Sequence, residues 1–124
     1  MDNQKKKITL VIGGSENPSR YANRAVHKLI NNGHKVIVIG RKEGKIEEVD
    51  IQIGFPELKN IDTITLYINP LIQVDYEDYI LSLNPKRIIF NPGTENPSLI
   101  KRAKEKGILT EIGCTLVMLS VDEY

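Results

Sequence analysis

A chain of 124 residues suits one domain with a single core and leaves no room for a second. Its 40% hydrophobic and 27% charged residues are ordinary for a soluble globular protein, and a formal net charge of +1 argues against nucleic acid or an anionic membrane as partner. One cysteine excludes an internal disulfide framework, fits a reducing, cytoplasmic compartment, and gives no zinc set with only two histidines.

Lys5, Lys6 and Lys7 lead into the apolar run Ile8-Thr9-Leu10-Val11-Ile12, which is too short to span a membrane and runs directly into the fold. Its continuity predicts a buried parallel strand, ending at Gly13-Gly14. Asn17 is then expected as an N-cap and Pro18 as the first helical residue, with Ala22, Ala25, Val26, Leu29 and Ile30 recurring at helical spacing. Asn31-Asn32-Gly33-His34 stops this helix, and residues 35–40 form a second buried strand, completing a right-handed βαβ unit. Arg41-Lys42-Glu43-Gly44-Lys45 is too polar and too short for a helix and is expected as a loop. Residues 49–53 are a weaker third strand.

Residues 62–68 are β-branched and aromatic enough for a strand, closed by Asn69-Pro70. Tyr76, Tyr79, Ile80 and Leu83 mark a helical stripe up to Asn84-Pro85, and residues 87–90 form the next strand. Asn91-Pro92-Gly93-Thr94-Glu95-Asn96-Pro97 opens a helix carrying Leu99, Ile100 and Ala103 and stopped at Gly107. A last strand over 108–112 leads into a short helix over 114–119. Alternating strands and helices with nearly continuous apolar strands specify one Rossmann-like, three-layer α/β domain over residues 1–124, with a mostly parallel sheet of five to six strands.

Ligands of such sheets lie outside the carboxyl ends of the strands, where the strand order reverses. The glycine turn and the loops at Arg41, Asn69 and Asn91 therefore share one edge. Gly13 and Gly14 before a helix N-terminus read either as a phosphate cradle or as glycines required for packing, since the full G-x-G-x-x-G fingerprint is absent. Gly14-Ser15-Glu16-Asn17-Pro18-Ser19 is echoed by Gly93-Thr94-Glu95-Asn96-Pro97-Ser98, either as two halves of a nucleotide site or as helix-start chemistry used twice. Five of the six prolines follow asparagine, so turns here lean heavily on Asn-Pro.

The loop after the second strand offers Arg41, Lys42 and Lys45 where NAD-binding domains place an acid for the ribose 2′-hydroxyl. It suits a ribose phosphate, or else is solvated surface. Arg20 in the first helical turn points to an anionic neighbour or to an ion pair with Glu16. Cys114 reads as a buried, inert thiol, with exchange against a ligand thiol as the alternative. His27 and His34 are expected in solvent. No nucleophile, base and orienting group form a set, so no catalytic residue is assigned.

The run Gly13-Gly14-Ser15-Glu16-Asn17-Pro18-Ser19-Arg20-Tyr21-Ala22-Asn23, with Arg41-Lys42-Glu43-Gly44 and Asn91-Pro92-Gly93-Thr94-Glu95-Asn96, resembles the small stand-alone CoA-binding proteins. These are similar to the N-terminal domain of the succinyl-CoA synthetase α subunit, and the resemblance covers essentially the whole chain. It implies coenzyme A as the ligand, with Gly13, Gly14, Ser15 and Arg20 near the pyrophosphate or its ribose and Asn17 completing that loop. Arg41 and Lys42 would then lie near the adenosine 3′-phosphate. Asn69-Pro70 and Asn91-Pro92-Gly93 would line the adenine and pantetheine side. The expected function is non-catalytic binding of CoA or an acyl-CoA, without nucleic acid, membrane or metal, and with homodimerisation left open. An NADP-binding oxidoreductase or redox sensor is the alternative, and an interaction domain with purely structural turns is a third.

Overall fold

The computed structural model describes residues 6–124; Lys5 of the basic lead-in lies outside them, as do the first four residues of the expected domain. The described strands are β1 (Ile8–Gly14), β2 (Lys35–Gly40), β3 (Gly44–Ile46), β4 (Val49–Gln52), β5 (Thr63–Leu66), β6 (Arg87–Phe90) and β7 (Leu109–Ile112). The helices are α1 (Tyr21–Asn31), α2 (Pro70–Gln73), α3 (Glu77–Ser82), α4 (Pro97–Glu105) and α5 (Thr115–Ser120). All seven strands join one sheet in the order β3-β4-β2-β1-β5-β6-β7, and every pair is parallel except β3 with β4.

Two apolar layers follow from strand alternation. Leu10, Ile12, Ile64, Leu66, Ile88 and Phe90 face one side and pack with Ile80, Leu81, Leu99 and Ala103 of α3 and α4. Val11, Val36, Val38 and Ile51 face the other, beneath Ala22, Val26 and Leu29 of α1 and Leu119 of α5. Helices on both faces are what make unbroken apolar strands tolerable, because neither face meets water. The chain winds outward from β1 through β2 and β4, then returns to β5 on the other side and winds through β6 and β7. The strand order therefore reverses between β1 and β5.

Three expectations need correction. The sheet has seven described strands rather than five or six, because the polar stretch after β2 is not a plain loop: Gly44–Ile46 folds back antiparallel on β4. Ile46 supplies the reason, being buried against the α1 layer. The first helix begins at Tyr21, not Pro18. Asn17 spends its side-chain oxygen on the Ser19 N–H (3.0 Å) and hydroxyl (2.8 Å), its carbonyl accepts the Arg20 N–H, and Arg20 is extended at φ −80° and ψ 140°. That local turn competes with helix initiation. The echoing loop does start its helix as expected, with Asn96 accepting the Leu99 N–H and Pro97 in the first turn.

His34 is the third. It is buried, not solvated, and its Nδ1 accepts the Lys7 N–H at 2.9 Å. Its ring meets Tyr124 edge to face, and Tyr124 in turn covers the buried Arg87 guanidinium at 4.5 Å and pairs its hydroxyl with Thr9. His27 remains near the surface, where it bonds Glu47 in the β3–β4 turn.

Candidate functional site

The reversal of strand order opens a crevice between the carboxyl ends of β1 and β5, and a cavity lies there. Its volume is about 940 Å³, toward the top of the roughly 300–1,000 Å³ range usual for small-molecule sites. Its walls come from four segments: the glycine turn through Asn17, Arg20 and Tyr21; the Arg41-Lys42-Glu43 loop; Tyr67, Ile68, Asn69 and Ile72 after β5; and Pro92, Gly93 and Thr94 after β6.

The glycine turn is shaped by close packing. β1 carries an extra residue between Ile12 and Gly14, and Gly13 takes φ +104° there. A Cβ on Gly13 would stand 2.9 Å from the Tyr67 carbonyl carbon and oxygen, so only glycine admits the end of β5 so close. A Cβ on Gly14 would overlap the Val38 side chain. Both glycines are thus demanded by the sheet itself, whatever the cavity holds. The turn is then tied down by Asn23 of α1, which is buried and donates to the Ser15 carbonyl at 2.8 Å. Ser15 Oγ accepts the Asn17 N–H at 3.1 Å.

The opposite wall is held by a buried amide. Gln73 of α2 donates from Nε2 to the Ile68 carbonyl (2.8 Å) and to the Thr94 carbonyl (2.7 Å), while its Oε1 accepts from Asn96 at 2.9 Å. Asn96 continues to Glu77, and Glu77 to Arg102, so the loops after β5 and β6 hang on one satisfied network. Asn69 caps α2 by accepting the Ile72 N–H at 3.0 Å, with Pro70 in the first turn.

Three cations, Arg20, Arg41 and Lys42, meet two carboxylates, Glu16 and Glu43, around this cavity. Glu16 does not pair with Arg20 among the described residues; its Oε2 accepts the Lys45 N–H at 2.8 Å. Tyr67 is mostly buried, its hydroxyl beside Thr115 and Thr65 without a well-formed hydrogen bond, and burial pushes its pKa well above the ordinary tyrosine value.

Ten of the twelve residues singled out in the sequence line the cavity: Gly13, Gly14, Ser15, Asn17, Arg20, Arg41, Lys42, Asn69, Pro92 and Gly93. Pro70 stands one residue behind the wall. Asn91 is buried below it, with both polar atoms committed: Nδ2 donates to Thr65 Oγ1 (2.6 Å) and the Leu66 carbonyl (2.9 Å), and Oδ1 accepts the Thr115 N–H (2.8 Å). Asn91 therefore anchors α5 to β5, with both amide hydrogens committed inside the fold. Cys114, half-buried at the start of α5, is not among the lining residues. Tyr67, read from the sequence as a core or rim residue, and Thr94, not assigned to the site, both line the cavity. Tyr67 was marked only by its place at the end of the strand beside the switch point, and Thr94 by its place in the repeated loop.

Among the described residues no cluster of His, Cys, Asp and Glu could hold a metal ion, and no helix is long and apolar enough to cross a membrane. The order of strands, the two helical layers and the cavity at the switch point are those of a Rossmann-like α/β domain. The chain belongs to the CoA binding domain family, which it matches over residues 7–120.

An uncharacterised protein of known crystal structure is similar at 46% identity and a TM-score of 0.95, over 98% of this chain and all of that one. A protein from Thermus thermophilus is 20% identical with a TM-score of 0.84, over 96% of this chain and 91% of its own, and shares the fold. A form of the PH1109 protein redesigned for binding is 22% identical with a TM-score of 0.83, over 96% of this chain and 85% of that chain. No curated protein matches the chain.

Proposed function

We propose that this domain holds coenzyme A, or an acyl-CoA, in the switch-point cavity as a cytoplasmic binding module without catalysis of its own. The observation that carries the reading is the convergence of Arg20, Arg41 and Lys42 on one cavity beside a glycine turn, in a chain of the CoA binding domain family. Coenzyme A brings a pyrophosphate and a ribose 3′-phosphate, and three cations from two separate loops match two separate anionic groups. Arg41 and Lys42 would take the 3′-phosphate, and the Gly13–Ser15 turn with Arg20 the pyrophosphate. Asn69, Pro92 and Gly93 would border the adenine and pantetheine, with Ile68 and Ile72 offering apolar wall.

NADP also carries a ribose phosphate, so ligand-induced stabilisation separates the two candidates. Coenzyme A at about 100 times its dissociation constant should stabilise the fold by about 2.7 kcal/mol, a rise of about 10 °C in Tm, with NADP and NAD giving little. A rise with NADP and none with coenzyme A would move the protein to the redox reading.

A further inference from the structure

We infer that Glu16 is a positioning residue that sets the cavity's preference for a ribose 3′-phosphate, by fastening the Arg41-Lys42-Glu43 loop to the glycine turn. This rests on the proposed reading of the cavity as a coenzyme A site and deepens it. A carboxylate in the wall of a site for phosphates adds an unfavourable charge, so its presence there points to a structural task, and Glu16 has one: its Oε2 accepts the Lys45 N–H at 2.8 Å. Lys45 lies in β3, at the outer edge of the sheet, and the bond gives one of its N–H groups a partner outside the β4 ladder.

The basic loop is pinned at both ends by the same turn. At its start, Gly40 sits so close to Gly14 that a Cβ would overlap the Gly14 carbonyl oxygen. At its end, a Cβ on Gly44 would overlap the Glu16 carboxyl group. Arg41, Lys42 and Glu43 are the three residues strung between those two contacts. The far end of the hairpin is held separately, by the bond from His27 of α1 to Glu47 and by the burial of Ile46. Losing Glu16 therefore removes the loop's tie to the glycine turn, while Gly44 stays paired with Ile51 and the hairpin stays attached. Held cations bind a phosphate better than free ones because less side-chain and backbone freedom is lost on binding.

The readout is the ratio of the dissociation constants of dephospho-CoA and coenzyme A, which reports the 3′-phosphate alone. Calorimetry on the whole chain should give a wild-type ratio of roughly tenfold or more. Glu16→Ala should reduce it toward one by weakening coenzyme A, with dephospho-CoA hardly changed. Glu16→Gln, whose amide oxygen accepts the same N–H, should restore the ratio. Gly44→Ala, which pushes the carboxyl away, should mimic Glu16→Ala, with thermal midpoints confirming that each variant is folded.

A wild-type ratio near one overturns the assignment of the 3′-phosphate and this inference with it. A high wild-type ratio that persists in Glu16→Ala overturns the inference alone. Tighter coenzyme A binding in both Glu16 variants also overturns it, because Glu16 would then act only as a repelling charge.

Discussion

Gln73 Nε2 lies 2.7 Å from the Thr94 carbonyl oxygen, and with the Asn96 bond to Gln73 Oε1 this joins the loop after β6 to the helix that follows β5. The same nitrogen holds the Ile68 carbonyl, so two walls of the cavity depend on a side chain that never reaches it. Replacing Gln73 with Leu would strand two carbonyls and one Asn96 N–H in the interior. The expected loss is on the order of 2–4 kcal/mol of unfolding free energy, read from a denaturant titration. A loss under about 0.5 kcal/mol would mean the loops are held by something else.

Arg41→Glu replaces a cation of the basic loop with an anion and should weaken coenzyme A by roughly tenfold or more, with a smaller effect on dephospho-CoA. Raising salt should narrow the difference between wild type and variant. Equal losses for both ligands would place Arg41 near the pyrophosphate instead.

Gly13→Ala tests the turn independently of any ligand. The positive φ and the contact with the Tyr67 peptide predict a loss of about 2–3 kcal/mol in stability. Chemical denaturation of the ligand-free protein measures it directly, and an unchanged midpoint would show that β1 and β5 can separate without cost.

His34 makes stability depend on pH. Burial, then the charges of Lys6 and Lys7, hold its pKa below the ordinary 6.5, so the folded state binds fewer protons than the unfolded chain at mildly acidic pH. The neutral ring's contribution is complete above pH 6.5 and is lost as pH falls from there through the folded-state value. His34→Gln, which keeps a hydrogen-bond acceptor for the Lys7 N–H, should flatten the fall in Tm between about pH 7 and 5. An unchanged slope would assign the acid sensitivity to other groups.

The fold was legible because β1, β2 and β6 are continuous apolar runs and α1 and α4 repeat at helical spacing; both signals come from burial on two faces. The β3 strand was not, since Gly44-Lys45-Ile46 has a single buried residue and gains its strand character only by pairing with β4. The start of α1 was misplaced because Asn17-Pro18 and Asn96-Pro97 are identical locally, and only the turn closed by Arg20 distinguishes them. In the cavity, the loops at strand ends could be read from topology, which fixes the edge they occupy. The burial of Asn91 could not, because the hydrogen bonds that hold it come from Thr65 and Thr115, which the chain brings to it from far away in sequence. Glu16 was one of two partners weighed for Arg20, and its bond to Lys45 becomes visible only once the hairpin exists.

Side-by-side calorimetric titration of coenzyme A, dephospho-CoA and NADP at one salt concentration decides whether the cavity reads the ribose 3′-phosphate of coenzyme A. Micromolar binding of coenzyme A, with dephospho-CoA at least about tenfold weaker and NADP weaker still, is the result expected. Binding of NADP without coenzyme A, or equal binding of coenzyme A and dephospho-CoA, would contradict it.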